Sequence, residues 1–277
     1  MSLLYIIWDV DPVMFYIGDR EVRWYGLLLA LGFLFAYLIL SKVMKKEGFK
    51  QEFIDKFSIY ILIGTVIGLR LGHCLFYNPG YYLSHPLEIL KIWEGGLASH
   101  GGAAGILLAV WLFYRKNKSK VENVKVTYMG LLDRIVLVVP LAGAMVRIGN
   151  LINSEIVGVP TNVPWAFIFK RLPYLGDTPL HPTQLYEAIF YFIMFFTFYF
   201  IYKKYHSKWK DGTFLGWFLI VLFGFRFLIE YTKIDQVEFE GWTDFIRMGQ
   251  LLSIPFILLG VYFIGRGYGW FKKKSKA

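Results

Sequence analysis

Long apolar runs alternate with short polar breaks along this chain, and the runs fall in one length class. Seven can be drawn, approximately from Trp24 to Ser41, Phe57 to Tyr77, Gly95 to Tyr114, Val126 to Gly149, Leu185 to Tyr202, Gly212 to Tyr231 and Gly249 to Gly265. A helix needs about 20 apolar residues to cross a hydrocarbon core of ~30 Å, so each run predicts one membrane crossing. Trp and Tyr gather at the run ends, as interfacial anchors do. The pattern predicts an all-α, polytopic integral membrane protein with seven transmembrane helices. Two longer polar stretches interrupt it. Residues 78–94 predict an interfacial arm, with Tyr81 and Trp93 at headgroup depth. Residues 150–184 are rich in Pro, Gly and Asn and predict an ordered head of turns and short strands rather than a helix. No repeat of 20 to 50 residues is visible, so residues 1–277 are expected to form a single membrane-embedded domain.

Composition agrees with the bilayer as solvent: 56% of residues are hydrophobic, 19% are aromatic, and the mean hydropathy is +0.48. The opening MSLLYIIWDVD turns acidic within its first residues and lacks a small-residue cleavage site, so the N-terminus is expected to be retained. The one cysteine, Cys74, excludes an intrachain disulfide and reads as a small apolar residue of the second span. The phenylalanines from Phe190 to Phe200 read as a lipid-facing stripe.

Charge adds an orientation. Of thirty Lys and Arg, nineteen follow spans one, three, five and seven, among them Lys42, Lys118, Lys120, Lys125, Lys203 and the terminal Lys272, Lys273, Lys274 and Lys276. Seven lie on the opposite side: Arg20, Arg23, Lys91, Lys170, Arg171, Lys233 and Arg247. The positive-inside rule then predicts an external N-terminus and a cytoplasmic C-terminus. The net charge of +10 is a topology signal and implies no nucleic acid; the terminal lysines also suit anionic membrane lipids.

The remaining four, Arg70, Arg134, Arg147 and Arg226, sit inside spans. A charge at mid-membrane costs roughly 2.5 to 3.5 kcal/mol on insertion scales, so each requires a partner or a wet cavity. Arg134, beside Asp133, reads as structural, and Arg70 with His73 stays open. With the orientation set, polar residues on six spans fall at one external layer: Tyr25; His100; Arg147, Asn150 and Glu155; His181 and Glu187; Arg226 and Glu230; and Gln250. Arg226 and Glu230 stand at i and i+4 and are expected to pair on one helix face. A layer with two guanidinium groups suits an anionic headgroup, because the planar fork holds two phosphate oxygens and stays charged when desolvated.

Several of these stretches resemble one family. RIGNLINSEIVG (Arg147 to Gly158) is similar to the signature of the prolipoprotein diacylglyceryl transferases, with Ala144 to Val146 in place of the usual glycine approach. WYG (Trp24 to Gly26), SHGG (Ser99 to Gly102), HPTQLYE (His181 to Glu187), RFLIE (Arg226 to Glu230) and MGQLLSIP (Met248 to Pro255) resemble its other motifs, in order. The resemblance implies transfer of a diacylglyceryl group from phosphatidylglycerol to the lipobox cysteine of a bacterial preprolipoprotein, releasing glycerol 1-phosphate at the inner membrane. It implies a phosphate clamp of Arg147 and Arg226, His100 as base for the substrate thiol, and Tyr25, Asn150, Glu155 and Glu230 at essential or site-lining positions. The candidate catalytic set is His100, Arg147, Arg226, Tyr25, Glu155 and Glu230. The candidate substrate-binding set is Arg147, Asn150, Asn153, Gly158, Arg226, Gln250, His181 and Glu187. No cofactor is expected, and no metal-ligand spacing is present. Two departures stand out: Leu222 where the family often has Tyr, and Lys233 where it often has Arg.

The alternative is a transporter or flippase of an anionic lipid or small anion. Its expected paired halves and midplane site are not what the sequence offers. An intramembrane serine protease would need a G-x-S-x-G-like nucleophile, which the adjacent Ser99 and His100 do not supply.

Overall fold

The computed structural model describes residues 5–92, 95–117, 124, 126–234 and 247–270. Trp93, Lys118, Lys120, Lys125 and the terminal lysines lie outside the described residues. In chain order the elements are strands β1 (Ile6–Trp8), β2 (Val13–Ile17) and β3 (Arg20–Arg23), then helices α1 (Trp24–Lys46), α2 (Gln51–Phe76), α3 (Pro79–Ser84), α4 (Ser99–Asn117) and α5 (Tyr128–Ile152). Strand β4 (Phe167–Phe169) precedes helices α6 (Thr183–Tyr205), α7 (Thr213–Ile229) and α8 (Met248–Tyr268). The protein is an all-α multi-pass membrane protein. Six of the described helices are long and apolar enough to cross a membrane, against the seven expected. The difference is α4, whose start, SHGGAAG, is small and polar and whose end, RKN, is charged.

The chain divides into two compact units, a central one of residues 37–134 and a flanking one built from the described residues on either side of it. In the central unit α2 and α4 meet backbone to backbone. Gly64, Gly68 and Gly72 recur every four residues on α2, and a methyl group on Gly68 would stand 2.4 Å from the carbonyl oxygen of Gly101. Small residues allow such approach where lipid gives no hydrophobic drive to association. Arg70, 3% exposed, donates to three carbonyls, Ile89 at 3.0 Å, Gly95 at 2.7 Å and Glu88 at 2.6 Å, with its guanidinium over the Tyr82 ring. It latches the segment after α3, a short 3-10 turn at Pro86–Leu90, onto α2. Arg134 is structural as expected, with Glu47 as its partner: its Nε and Nη2 lie 2.7 and 2.6 Å from Glu47 Oε2, and its charge rests over Phe49.

The flanking unit opens with elements that the apolar pattern does not predict. β2 and β3 form an antiparallel hairpin through Gly18, whose φ is +59°. β1 pairs in parallel with β4, Ile6 opposite Phe167 and Trp8 opposite Phe169. Beneath them Leu151, Val157, Phe167, Phe169 and Leu180 form a small core against Trp8, whose indole N–H donates to the Leu151 carbonyl at 2.9 Å. The head segment is thereby fastened to the end of α5. In the same unit α7 and α8 close at Gly216, where a methyl group would meet Gly260 O at 2.9 Å.

The aromatic stripe of α6 is only half lipid-facing. Phe196 and Phe200 are 55% and 64% exposed, but Phe195 and Phe198 are both 6% exposed. Phe198 packs on Phe214 of α7, and Phe190 stacks on Phe225 at 3.7 Å between ring centres. A run that is almost entirely apolar carries no contrast between its buried and exposed faces, so periodicity could not separate them.

Candidate functional site

The site grows from the C-terminal end of α5. After Ile152 the chain reverses through Ser154 and Ile156, both in the left-handed region with φ of +56° and +59°. A β-branched residue there is a backbone outlier, and such strain persists where surrounding contacts over-determine it. Here they do: Ser154 N–H donates to Leu151 O, Glu155 N–H to Asn150 O, Thr183 Oγ1 to Ile156 O at 2.7 Å, and Gln184 Nε2 to Glu155 O at 2.5 Å. The left-handed positions are taken by Ser154 and Ile156. The two asparagines are thereby released for side-chain work. Asn150 Nδ2 donates to Glu155 Oε2 at 3.0 Å and Asn153 Nδ2 to Oε1 at 3.1 Å, so one carboxylate is gripped by two amides.

Arg147 lies one helical turn before this grip. Its Nη1 donates to Asn150 Oδ1 at 3.4 Å, its Nε stands 3.2 Å from Glu187 Oε2, and the Tyr191 hydroxyl of α6 lies against it. Glu187 is wholly buried and splits its charge, since its Oε1 accepts from Lys233 Nζ at 3.0 Å. Lys233 Nζ is also 3.8 Å from Glu230 Oε2. Burial, and to a lesser degree the Arg147 charge, pushes the Lys233 ammonium below its usual range, against the pull of Glu187 and Glu230. Tyr25 of α1 joins from the other side. Its ring packs where a side chain on Gly149 would be, 2.7 Å from the position of that absent Cβ, and its hydroxyl feels both Glu155 and Arg147.

The expected Arg226–Glu230 pair is not formed. α7 ends at Ile229 and Glu230 caps it with its N–H still on Arg226 O, so the backbone keeps the i+4 spacing and it is the Glu230 side chain that turns away. Its carboxylate instead fills the space beside Gly249 of α8. Among the described residues no carboxylate pairs with Arg226, a half-buried side chain whose charge acts, like that of Arg147, on the Tyr191 hydroxyl. Arg147 of α5 thus contacts both the Tyr191 hydroxyl and a carboxylate, while the charge of Arg226 from α7 acts on the same phenol and no carboxylate among the described residues engages it.

Three sequence candidates hold the frame. Gly158 has no room for a side chain. Gln250, wholly buried, donates to Phe227 O at 3.1 Å and accepts from Arg247 N–H at 3.0 Å, joining α7 to the start of α8. His181 accepts at Nδ1 from the Tyr186 hydroxyl, 3.0 Å away, which itself accepts from the Trp165 indole at 2.8 Å. Burial lowers the pKa of His181, which fits a neutral, accepting ring. His100 belongs to the central unit, an exposed side chain standing edge-on to Phe76 at 5.0 Å. Sequence reasoning passed over Lys233, Gln184, Tyr191 and Arg247. Lys233 was visible only as a loop charge and a departure from a motif, and its carboxylate partner lies 46 residues away.

The chain matches the family model described as prolipoprotein diacylglyceryl transferase over residues 12–266. The chain belongs to the prolipoprotein diacylglyceryl transferase family. Among curated relatives named phosphatidylglycerol–prolipoprotein diacylglyceryl transferase, the one from Tolumonas auensis is 44% identical, covering 92% of this chain and 95% of its own length. That from Chloroherpeton thalassium is 45% identical, covering 94% and 93%. The Bacteroides fragilis relative is 41% identical over 99% of this chain and 98% of its own. Family membership spans both units, so the knot after α5 and the glycine-lined helix carrying His100 are parts of one diacylglyceryl transferase chain.

Proposed function

We propose that this chain transfers the diacylglyceryl group of phosphatidylglycerol to the lipobox cysteine thiol of a prolipoprotein. The activity is that named for its relatives. The observation that supports it best in the molecule is that the charges of Arg147 and Arg226 both act on the Tyr191 hydroxyl, with Arg226 paired to no carboxylate among the described residues. In this reading the thiolate sulfur attacks the glyceryl CH₂, the C–O bond to phosphate breaks, and its electron pair leaves with glycerol 1-phosphate. The phosphate passes from a singly charged diester to a monoester carrying about −1.5 to −2 at pH 7, so guanidinium groups beside it stabilise the transition state more than the bound lipid. The thiol proton goes to His100. Free thiols with pKa ~8.5 are mostly protonated at neutral pH, so a base accelerates the step. The enzyme sits in the bacterial inner membrane, with the N-terminus outside, the C-terminus cytoplasmic, the arm of residues 78–94 at the interface and the head of residues 150–184 external.

The test is purified protein in phosphatidylglycerol vesicles with a synthetic lipobox peptide. Glycerol phosphate and a thioether-linked lipopeptide are expected in equal amounts; uptake or flipping of the lipid without either product would favour the transporter reading instead. His100→Gln is expected to slow transfer by about 10²-fold or more while lipid binding persists, the usual scale for a lost general base. Rates that match wild type across a pH series would remove His100 from that role.

A further inference from the structure

We propose that Lys233 is a positioning residue of the transfer reaction, its ammonium seated between Glu187 and Glu230 so that Glu187 keeps only one oxygen on Arg147 and Glu230 stays off Arg226, leaving guanidinium donors for a phosphate to reach. The inference deepens the reading above and rests on it. Its ground is the geometry of one buried carboxylate shared by two cations. Glu187, wholly buried, offers Oε1 to Lys233 Nζ at 3.0 Å and Oε2 to Arg147 Nε at 3.2 Å. With Lys233 charged, Arg147, Arg226, Lys233 and Arg247 outweigh Glu155, Glu187 and Glu230 by one positive charge; without it the remaining charges balance to zero. Away from water, attraction for an anion follows that balance steeply. Lys233 is also aimed independently of its charge. Its backbone bridges to Gly158, and its carbonyl accepts from Arg247 Nη1 at 2.5 Å, beside the Glu230 carbonyl that the same Nη1 reaches at 2.7 Å.

A lysine at this position adds a pH response that an arginine lacks. The charged groups that face it are Arg147 from α5, Glu187 from α6, Glu230 from the turn after α7, and Arg247 ahead of α8, which reaches its carbonyl. Burial lowers its pKa. The working form is protonated, so its contribution is complete at low pH and is lost as pH rises through that lowered value.

Full-length variants are assayed in phosphatidylglycerol vesicles with a lipobox peptide. Lys233→Met is expected to lower kcat/KM by roughly a hundredfold, the scale of leaving a buried charge unbalanced. Adding Glu187→Gln removes the orphaned carboxylate and is expected to restore about tenfold of that loss. Lys233→Arg is expected to recover transfer and to move the alkaline limb of the kcat/KM profile to higher pH, which a merely structural lysine would not do. Activity of Lys233→Met within about twofold of wild type, a double variant no better than the folded single one, or an unmoved limb in Lys233→Arg would each overturn the inference. Should Lys233→Met fail to fold, the Lys233→Arg profile decides. Wild-type protein that transfers nothing sinks the functional reading and this inference with it, whereas an active wild type with an indifferent Lys233→Met sinks this inference alone.

Discussion

Arg147→Ala is expected to abolish diacylglyceryl transfer while leaving a folded, inserted protein. The fold survives because the carboxylate that Arg147 faces keeps a second cation: Glu187 Oε1 still holds Lys233 at 3.0 Å. The turn after α5 also survives, since Asn150 and Asn153 grip Glu155 without the arginine. What disappears is one of the two guanidinium charges that act on Tyr191. Removing a single neutral donor from a site of developing negative charge costs about 10²–10³ in rate, and a charged, bidentate donor to phosphate exceeds it. A loss of at least roughly 10³-fold in glycerol phosphate release is therefore expected, with unchanged mobility on size exclusion. Arg147→Lys retains the charge without the fork and is expected to fall between the two. Turnover near wild type in the alanine variant would refute the clamp.

The membrane helices were legible because a bilayer demands apolar runs of span length and a water-soluble core seldom does. Trp24, Tyr77 and Tyr231 mark ends in sequence and structure alike, within a residue or two of α1, α2 and the turn after α7. β1 to β3 were not legible: strands of three to five residues, mostly exposed, carry no period to read. In the site, depth along a span could place Arg147, Glu155 and Tyr25 in one layer, but depth says nothing of azimuth. That is why Arg226 was given the wrong partner. The i+4 spacing survives in the backbone, but the Glu230 carboxylate is turned toward Gly249 and Lys233, a choice of side-chain direction that spacing does not encode. Lys233 and Glu187 could not be paired from sequence, since a lysine in a loop is by default solvated. Only burial of the glutamate at 0% exposure changes that default. Arg70 was ambiguous for the reverse reason: its partners are backbone carbonyls, two in the arm and that of Gly95 just past it, which no side-chain pattern encodes.

Gly158→Val is expected to inactivate the enzyme as completely as loss of Arg147, without touching a charge. A Cβ at residue 158 would lie 2.5 Å from the His181 carbonyl oxygen and 2.6 Å from both His181 Cβ and the Thr232 carbonyl oxygen. Two of these are backbone atoms, which cannot rotate away. The φ of Gly158 is not among the positive ones, so the glycine is needed for space and not for conformation. The space lies between segments that the site requires in register. Gly158 N–H donates to His181 O, Val159 N–H to Thr232 O, and Ile234 N–H to Val157 O. Forcing them apart carries Lys233 away from Glu187 and loosens the start of α6, where Thr183 and Gln184 hold the turn after α5. Overpacking a close contact costs about 1–3 kcal/mol and occasionally more; against rigid backbone on two sides the upper end applies, and geometric errors of ~1 Å at a reacting centre lower rates by about 10²-fold. Gly158→Ala, with the same Cβ, is expected to lose most activity already. Gly224→Ala is the control, because a methyl group there meets nothing within 4 Å and alanine favours the helix. Transfer rates and thermal unfolding of the three variants check the argument, and a Gly158→Ala enzyme as fast as Gly224→Ala would show that the seam between residues 157–159 and 230–234 opens without consequence for the charges it carries.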